Sequence, residues 1–169
     1  MGSRYGVAAA MVFGLAGLLA QGQSGALASD AAGRSIVKRA AVEYLYPEQI
    51  SLPAGKAAVV ALHFRIAAGL HINSHSPKDE FLIPTTLTIP DGSGVRLEEA
   101  SYPPGADFTM PADPGTKLNV YTGEFVIEAQ LMAAPGDHLV EARLRYQACD
   151  QNACMPPRTI TAAIDVVGK

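Results

Sequence analysis

Hydrophobic and polar positions alternate with period two in several short stretches of this chain, and no segment of convincing length after the N-terminal run repeats at helical spacing. Ala57 to Ile66 is the clearest: Val60, Leu62, Phe64 and Ile66 share one face, while His63 and Arg65 take the other. Such alternation predicts a half-buried strand. His138 to Tyr146 alternates as strictly, with Leu139, Leu144 and Tyr146 among the apolar positions. Further strands are predicted at Ala41–Tyr46, Phe81–Ile89, Val95–Tyr102 and Arg158–Val167, and Leu118–Met132 holds one long strand or two. Pro84 pushes the first part of Phe81–Ile89 to an edge or bulge, because proline has no N–H for a ladder. Turns are predicted at Pro53–Lys56, Pro90–Gly94 and Ala134–Asp137, and Pro103–Gly115 reads as loop. Seven or eight strands at this spacing predict an all-β, immunoglobulin-like β-sandwich over residues 41–169.

The first residues read as an address. Arg4 is followed by an uncharged apolar run, Val7 to Ala20, and Ala26-Leu27-Ala28 offers a cleavage site. That is the pattern of a secretory signal peptide, 1–28, removed near Ala28. A buried helix or an uncleaved anchor is the alternative. The run is shorter than the roughly 20 residues that span a bilayer, so no stable membrane insertion is expected. Residues 29–40 read as a flexible lead. The protein is then expected in the periplasm or outside the cell, where a disulfide can persist.

Composition narrows the classes. The 169 residues are 49% hydrophobic and 17% charged, which suits a folded domain. The formal charge is -3, without the basic excess that a nucleic-acid binder shows. Two cysteines are too few for a disulfide-built scaffold or a four-thiolate zinc site. Neither a G-x-S-x-G nor an H-E-x-x-H motif occurs.

The chemistry concentrates at Cys149 and Cys154, separated by Asp150-Gln151-Asn152-Ala153 and followed by Met155-Pro156-Pro157. The expected shape is a hairpin whose stems each carry one cysteine. Opposed stem Cβ atoms lie about 4.5–5.5 Å apart, close to the roughly 3.5–4.5 Å of a disulfide, so the pair can close and open without dismantling the fold. As a staple, so short a loop adds only about 2 kcal/mol. Exchange, a structural bridge and a metal site all stay open for the pair. A soft copper site would draw on His63, Met110, Met155 and the thiols, although no histidine follows either cysteine, against the cupredoxin order. His71 and His75 stand four apart, a metal spacing only on a helix, which Asn73, Ser74, Ser76 and Pro77 disfavour. Phe108 and Met110 are either exposed lid residues or packing beneath their loop.

Several segments, in order, resemble the N-terminal periplasmic, immunoglobulin-like domain of the thiol:disulfide interchange protein DsbD family. They are Leu62–Ile66 with Gly69–Asn73, Phe81–Thr85, Tyr102-Pro103, Val120–Gly123, and Tyr146-Gln147-Ala148-Cys149 through Cys154-Met155-Pro156-Pro157. The cysteine hairpin is the specific part, and together the segments span about Ala57 to Val167. The resemblance implies thiol-disulfide exchange by a protein-disulfide reductase component, with no cofactor beyond the Cys149–Cys154 pair, and a stand-alone monomer is expected. Cys154 would form the mixed disulfide and Cys149 would resolve it. Met110 to Asn119 would match the family's cap loop, with Phe108, Met110, Lys117 and Asn119 as its candidate residues. Implied partners are thioredoxin-fold periplasmic proteins, including those of cytochrome c maturation, and a separately encoded membrane electron conduit. Three departures stand out. The inter-cysteine loop is one residue shorter than in the best-known members. The chain stops at Lys169, without the family's membrane and thioredoxin-like domains. His71 and Asn73 stand where those members carry tyrosines, and an imidazole there can stabilise a thiolate or relay a proton, unless it is a solvent-facing loop histidine. A non-catalytic binding module with a structural disulfide, or a copper carrier, would be the other reading.

Overall fold

The computed structural model describes residues 40–46, 49–111 and 113–169, and no helix occurs among them. The expected signal peptide, and the lead up to residue 39, lie outside the described residues. Twelve strands form among the described residues, the longest of them on period-two alternation. In chain order they are β1 (Val42–Leu45), β2 (Ile50–Leu52), β3 (Ala57–Ile66), β4 (His71–Asn73), β5 (Thr86–Thr88), β6 (Val95–Ser101), β7 (Ala106–Met110), β8 (Asp113–Tyr121), β9 (Glu124–Ala133), β10 (Gly136–Tyr146), β11 (Ala148–Cys149) and β12 (Arg158–Gly168).

Two four-stranded sheets form the sandwich, in the orders β1-β3-β9-β6 and β2-β12-β10-β5. In the first, β3 pairs with β9 from Ala57↔Met132 to Arg65↔Glu124. In the second, β10 and β12 pair from Gly136↔Gly168 to Tyr146↔Arg158. The inward positions meet in one apolar core: Leu62, Phe64 and Ile66 of β3, Ile127, Ala129 and Leu131 of β9, Val140, Ala142 and Leu144 of β10, and Ile164 and Val166 of β12. Phe64 and Phe125, directly opposed in the ladder, stack at 5.3 Å. The expected all-β sandwich is therefore the observed architecture, with more strands than the seven or eight expected, several of them only two or three residues long.

The third sheet, β11-β4-β8-β7, positions the site. It is made from continuations of the other two. The chain leaves β3 through a turn closed by Leu70 N–H to Ala67 C=O (3.1 Å) and re-forms as β4. β10 ends at Tyr146, and β11 begins two residues later. β8 passes into β9 at Thr122-Gly123, so Leu118–Met132 is two strands rather than one. Gly123 has φ 63°, a conformation that costs glycine little, and its carbonyl accepts the Ile66 N–H at 2.7 Å. Tyr121 and Phe125 stack across this corner at 5.0 Å.

Three expectations need correction. Phe81–Ile89 is a strand only at Thr86–Thr88. Its first part is a turn in which Asp79 accepts the Phe81 and Leu82 N–H groups, and Phe81 is 84% exposed. Pro103–Gly115 is not a loop: β7 and the start of β8 form a hairpin, paired from Ala106↔Val120 to Thr109↔Lys117 before the register shifts. Its prolines occupy the places that tolerate them, Pro111 at the tip and Pro114 next to the shift. Leu139 is 73% exposed, because Val140, Ala142, Leu144 and Tyr146 set the inward phase of β10.

Candidate thiol–disulfide site

Cys149 and Cys154 face each other as an antiparallel bridge and are joined by a disulfide, with Cα atoms 3.9 Å apart. Hydrogen bonds that do not involve the sulfurs also close the hairpin. Met155 N–H donates to Ala148 C=O (2.8 Å), and Asp150 N–H to Ala153 C=O (3.0 Å). The Asp150 carboxylate accepts the N–H groups of Asn152 (2.7 Å) and Ala153 (2.9 Å). Those bonds, Ala153 first, hold its pKa below the usual carboxylate value, with a smaller contribution from His71.

Gln147 ties the hairpin to its surroundings. Its Nε2 donates to Met155 C=O (3.2 Å), just beyond Cys154. Its Oε1 accepts from Asn73 Nδ2 (3.1 Å) and from Ile83 N–H (3.3 Å). Asn73 is fully buried and also donates to Ile83 C=O (3.1 Å), while its own carbonyl accepts the Thr85 hydroxyl (2.6 Å). One amide pair thus links both cysteine stems, β4 and the segment before β5. The sequence motif contains Gln147 without revealing this role. The available signal is its place two residues before Cys149, in the break between β10 and β11.

The two cysteines differ in access. Cys149 is 0% exposed, while Cys154 is half-buried at the end of the loop. Cys149 pairs with His71 across the β11–β4 ladder. His71 is 4% exposed, so it is a buried strand residue and not a solvent-facing loop histidine. Burial lowers its pKa, partly opposed by the Asp150 carboxylate. Phe108 of β7 lies against the imidazole, with ring centres 4.3 Å apart.

The remaining candidates divide by face. Met110, Leu118 and Val120 form a second small apolar cluster, with Leu82 and Phe108 packed against it. Phe108 is half-buried and Met110 buried, so neither is simply an exposed lid residue. Lys117 and Asn119 alternate with Leu118 and Val120 on β8 and so take the opposite face. Lys117 is exposed, and the Asn119 carbonyl accepts the Ser74 N–H at 2.9 Å. His75 does not join His71: it stacks on Tyr102 at 3.8 Å, and its Nδ1 pairs with Thr85 C=O at 2.9 Å. His63 lies on β3, edge-on to Tyr46.

No protein-family model and no curated protein matches the chain. Among solved structures, it is similar to the reduced N-terminal domain of DsbD from Neisseria meningitidis, at 20% identity and a TM-score of 0.46, covering 68% of this chain and 82% of that one. It is also similar to the N-terminal periplasmic domain of ScsB from Proteus mirabilis, at 15% identity and a TM-score of 0.49. That match covers 73% of this chain and 44% of the other.

Proposed function

We propose that this chain carries out thiol-disulfide exchange in the periplasm, passing reducing equivalents through Cys149 and Cys154 to thioredoxin-fold partner proteins. The observation that carries the reading is the asymmetry of the pair, with one cysteine reachable and the other fully enclosed. Exchange needs a single sulfur open to an incoming thiolate or disulfide. In the reduced chain, the Cys154 thiolate attacks a partner disulfide and forms a mixed disulfide, releasing one partner thiol. Cys149 then attacks Cys154 Sγ, the Cys149–Cys154 bond forms, and the second partner thiol leaves. The pair is oxidised by two electrons, and the partner disulfide is reduced by two.

The hydrogen bonds around the hairpin support this. The Met155–Ala148, Gln147–Met155 and Asp150 hydrogen bonds do not involve the sulfurs, so they are expected to keep the thiols facing each other after reduction. A staple across a loop already held this way would add little. Phe108 and the β7–β8 hairpin shield the enclosed side, and that hairpin opening on partner docking would gate access. The resemblance of the Tyr146–Pro157 segment to the DsbD hairpin points to the same chemistry.

The deciding measurement is the reduction potential of the domain, from thiol trapping across a glutathione or dithiothreitol series. A value of roughly -120 to -270 mV is expected for a working exchange protein. A value below about -300 mV would mark a structural bridge and overturn the reading. A Cys149→Ala variant is expected to hold a partner as a mixed disulfide on Cys154.

A further inference from the structure

His71 is the one buried histidine among the described residues, and its strand pairs with the segment that carries the enclosed cysteine, Cys149. β4 and β11 run antiparallel with His71 opposite Cys149. Opposed residues of such a ladder project to the same side, with Cβ atoms about 4.5–5.5 Å apart. The imidazole and the enclosed sulfur are therefore cross-strand neighbours, with Phe108 lying against the ring at 4.3 Å. The His71 Nε2 is buried and has no hydrogen-bond partner. Buried polar atoms are almost always paired, and each exception calls for an explanation. The oxidised state supplies one: a disulfide sulfur carries no hydrogen and has nothing to donate. Reduction turns Cys149 into a thiol, which is a donor.

We propose that His71 Nε2 is the proton acceptor for the Cys149 thiol in the resolving step. The proposal rests on the exchange reading and deepens it. In the mixed disulfide, Cys154 Sγ is bonded to the partner's sulfur. The Cys149 S–H proton moves to Nε2 as Cys149 Sγ attacks Cys154 Sγ. The Cys149–Cys154 bond forms, the bond to the partner's sulfur breaks, and the partner departs as a thiolate. The imidazolium then gives its proton to that thiolate. An enclosed thiol needs such help, since burial in apolar surroundings raises a thiol's pKa. Burial also keeps the imidazole neutral and able to accept.

The groups around the ring suit this role. From the β11 side, the Asp150 carboxylate favours the imidazolium as it forms. β7 presents the Phe108 ring, and β8 presents Leu118 and Val120 to the same apolar cluster, none of which titrates. Of the charged residues on those strands, Asp107 is tied to Lys78 at 2.8 Å, and Lys117 is exposed on the alternate face of β8.

The test separates the two chemical steps, with glutathione disulfide as the probe. Reduced protein is mixed with the probe and acid-quenched at intervals, and the glutathionylated and oxidised species are quantified by mass. The Cys149→Ala background isolates attack by Cys154. The decay of the glutathionylated form, with Cys149 present, isolates resolution. His71→Phe is expected to leave the first step within about twofold and to slow the second about a hundredfold at pH 7, the range for losing a positioned base. The lost rate should return as pH rises toward the thiol's own pKa, whereas the native protein's profile levels off earlier. His71→Asn should behave alike and carries the test if the Phe variant does not fold. An unchanged second step in a folded variant, or equal slowing of both steps at every pH, would overturn the role of His71 and leave exchange standing. A native protein that never becomes glutathionylated would overturn both.

Discussion

Burial at His71 and backbone hydrogen bonds at Asp150 set the direction in which each side chain's pKa moves. His71 is held neutral by burial, so its folded pKa lies below the unfolded value of about 6.5. The unfolded chain takes up the proton first as pH falls. The stability linked to His71 is therefore fully present above about pH 6.5 and is lost as pH drops through that value toward the folded pKa. Urea titrations should show a steeper loss between pH 7 and 5 for the native chain than for His71→Phe. Asp150 behaves in the opposite sense to a buried carboxyl. Its two backbone N–H bonds depress its pKa, so its contribution is present above the ordinary carboxylate range and is lost below it. Asp150→Ala should speed amide exchange at Asn152 and Ala153, whereas Asp150→Asn, which keeps an acceptor oxygen, should not. None of these environments is legible from the residues alone. The sequence allows His71 to be either a functional or a loop histidine, and its neighbours, Cys149 across the ladder and Phe108 against the ring, come from other parts of the chain.

Elements with clean alternation declare themselves, and those without it do not. Ala57–Ile66 is a strand over the predicted range, because every second residue meets the core. The Pro103–Gly115 segment misleads because prolines ordinarily break ladders, yet they stand at the hairpin tip and beside the register shift. That hairpin places Phe108 over His71. Phe108→Ala should let a small thiol such as glutathione reduce the disulfide severalfold faster, measured by the rate at which free thiol appears, with little change in the hairpin's own strand pairing. An unchanged rate would show that Phe108 does not limit access. β4 and β11 carry three and two residues, too few for any period to show. Their pairing comes from the strands they continue.

Across the whole molecule, the core and the disulfide make separable contributions. Leu62 and Ile127 are fully buried partners in the β3–β9 ladder, and Ile127→Ala should lower the unfolding free energy by about 2–5 kcal/mol while leaving the reduction potential unchanged. Reducing Cys149–Cys154 should lower it by only about 2 kcal/mol, with strand circular dichroism retained, because the bond closes a loop of a few residues. Collapse of the fold on reduction would mean that the hairpin's hydrogen bonds do not hold it alone. The sequence by itself determined the all-β class, the main strands and the cysteine hairpin, since each follows from neighbours a few residues apart. Only the tertiary structure decided that His71 opposes Cys149, that Gln147 and Asn73 join the stems, and that a proline-rich hairpin covers them. Those contacts unite segments from separate parts of the chain. Local periodicity records which face of a segment is apolar, not which distant segment will cover it.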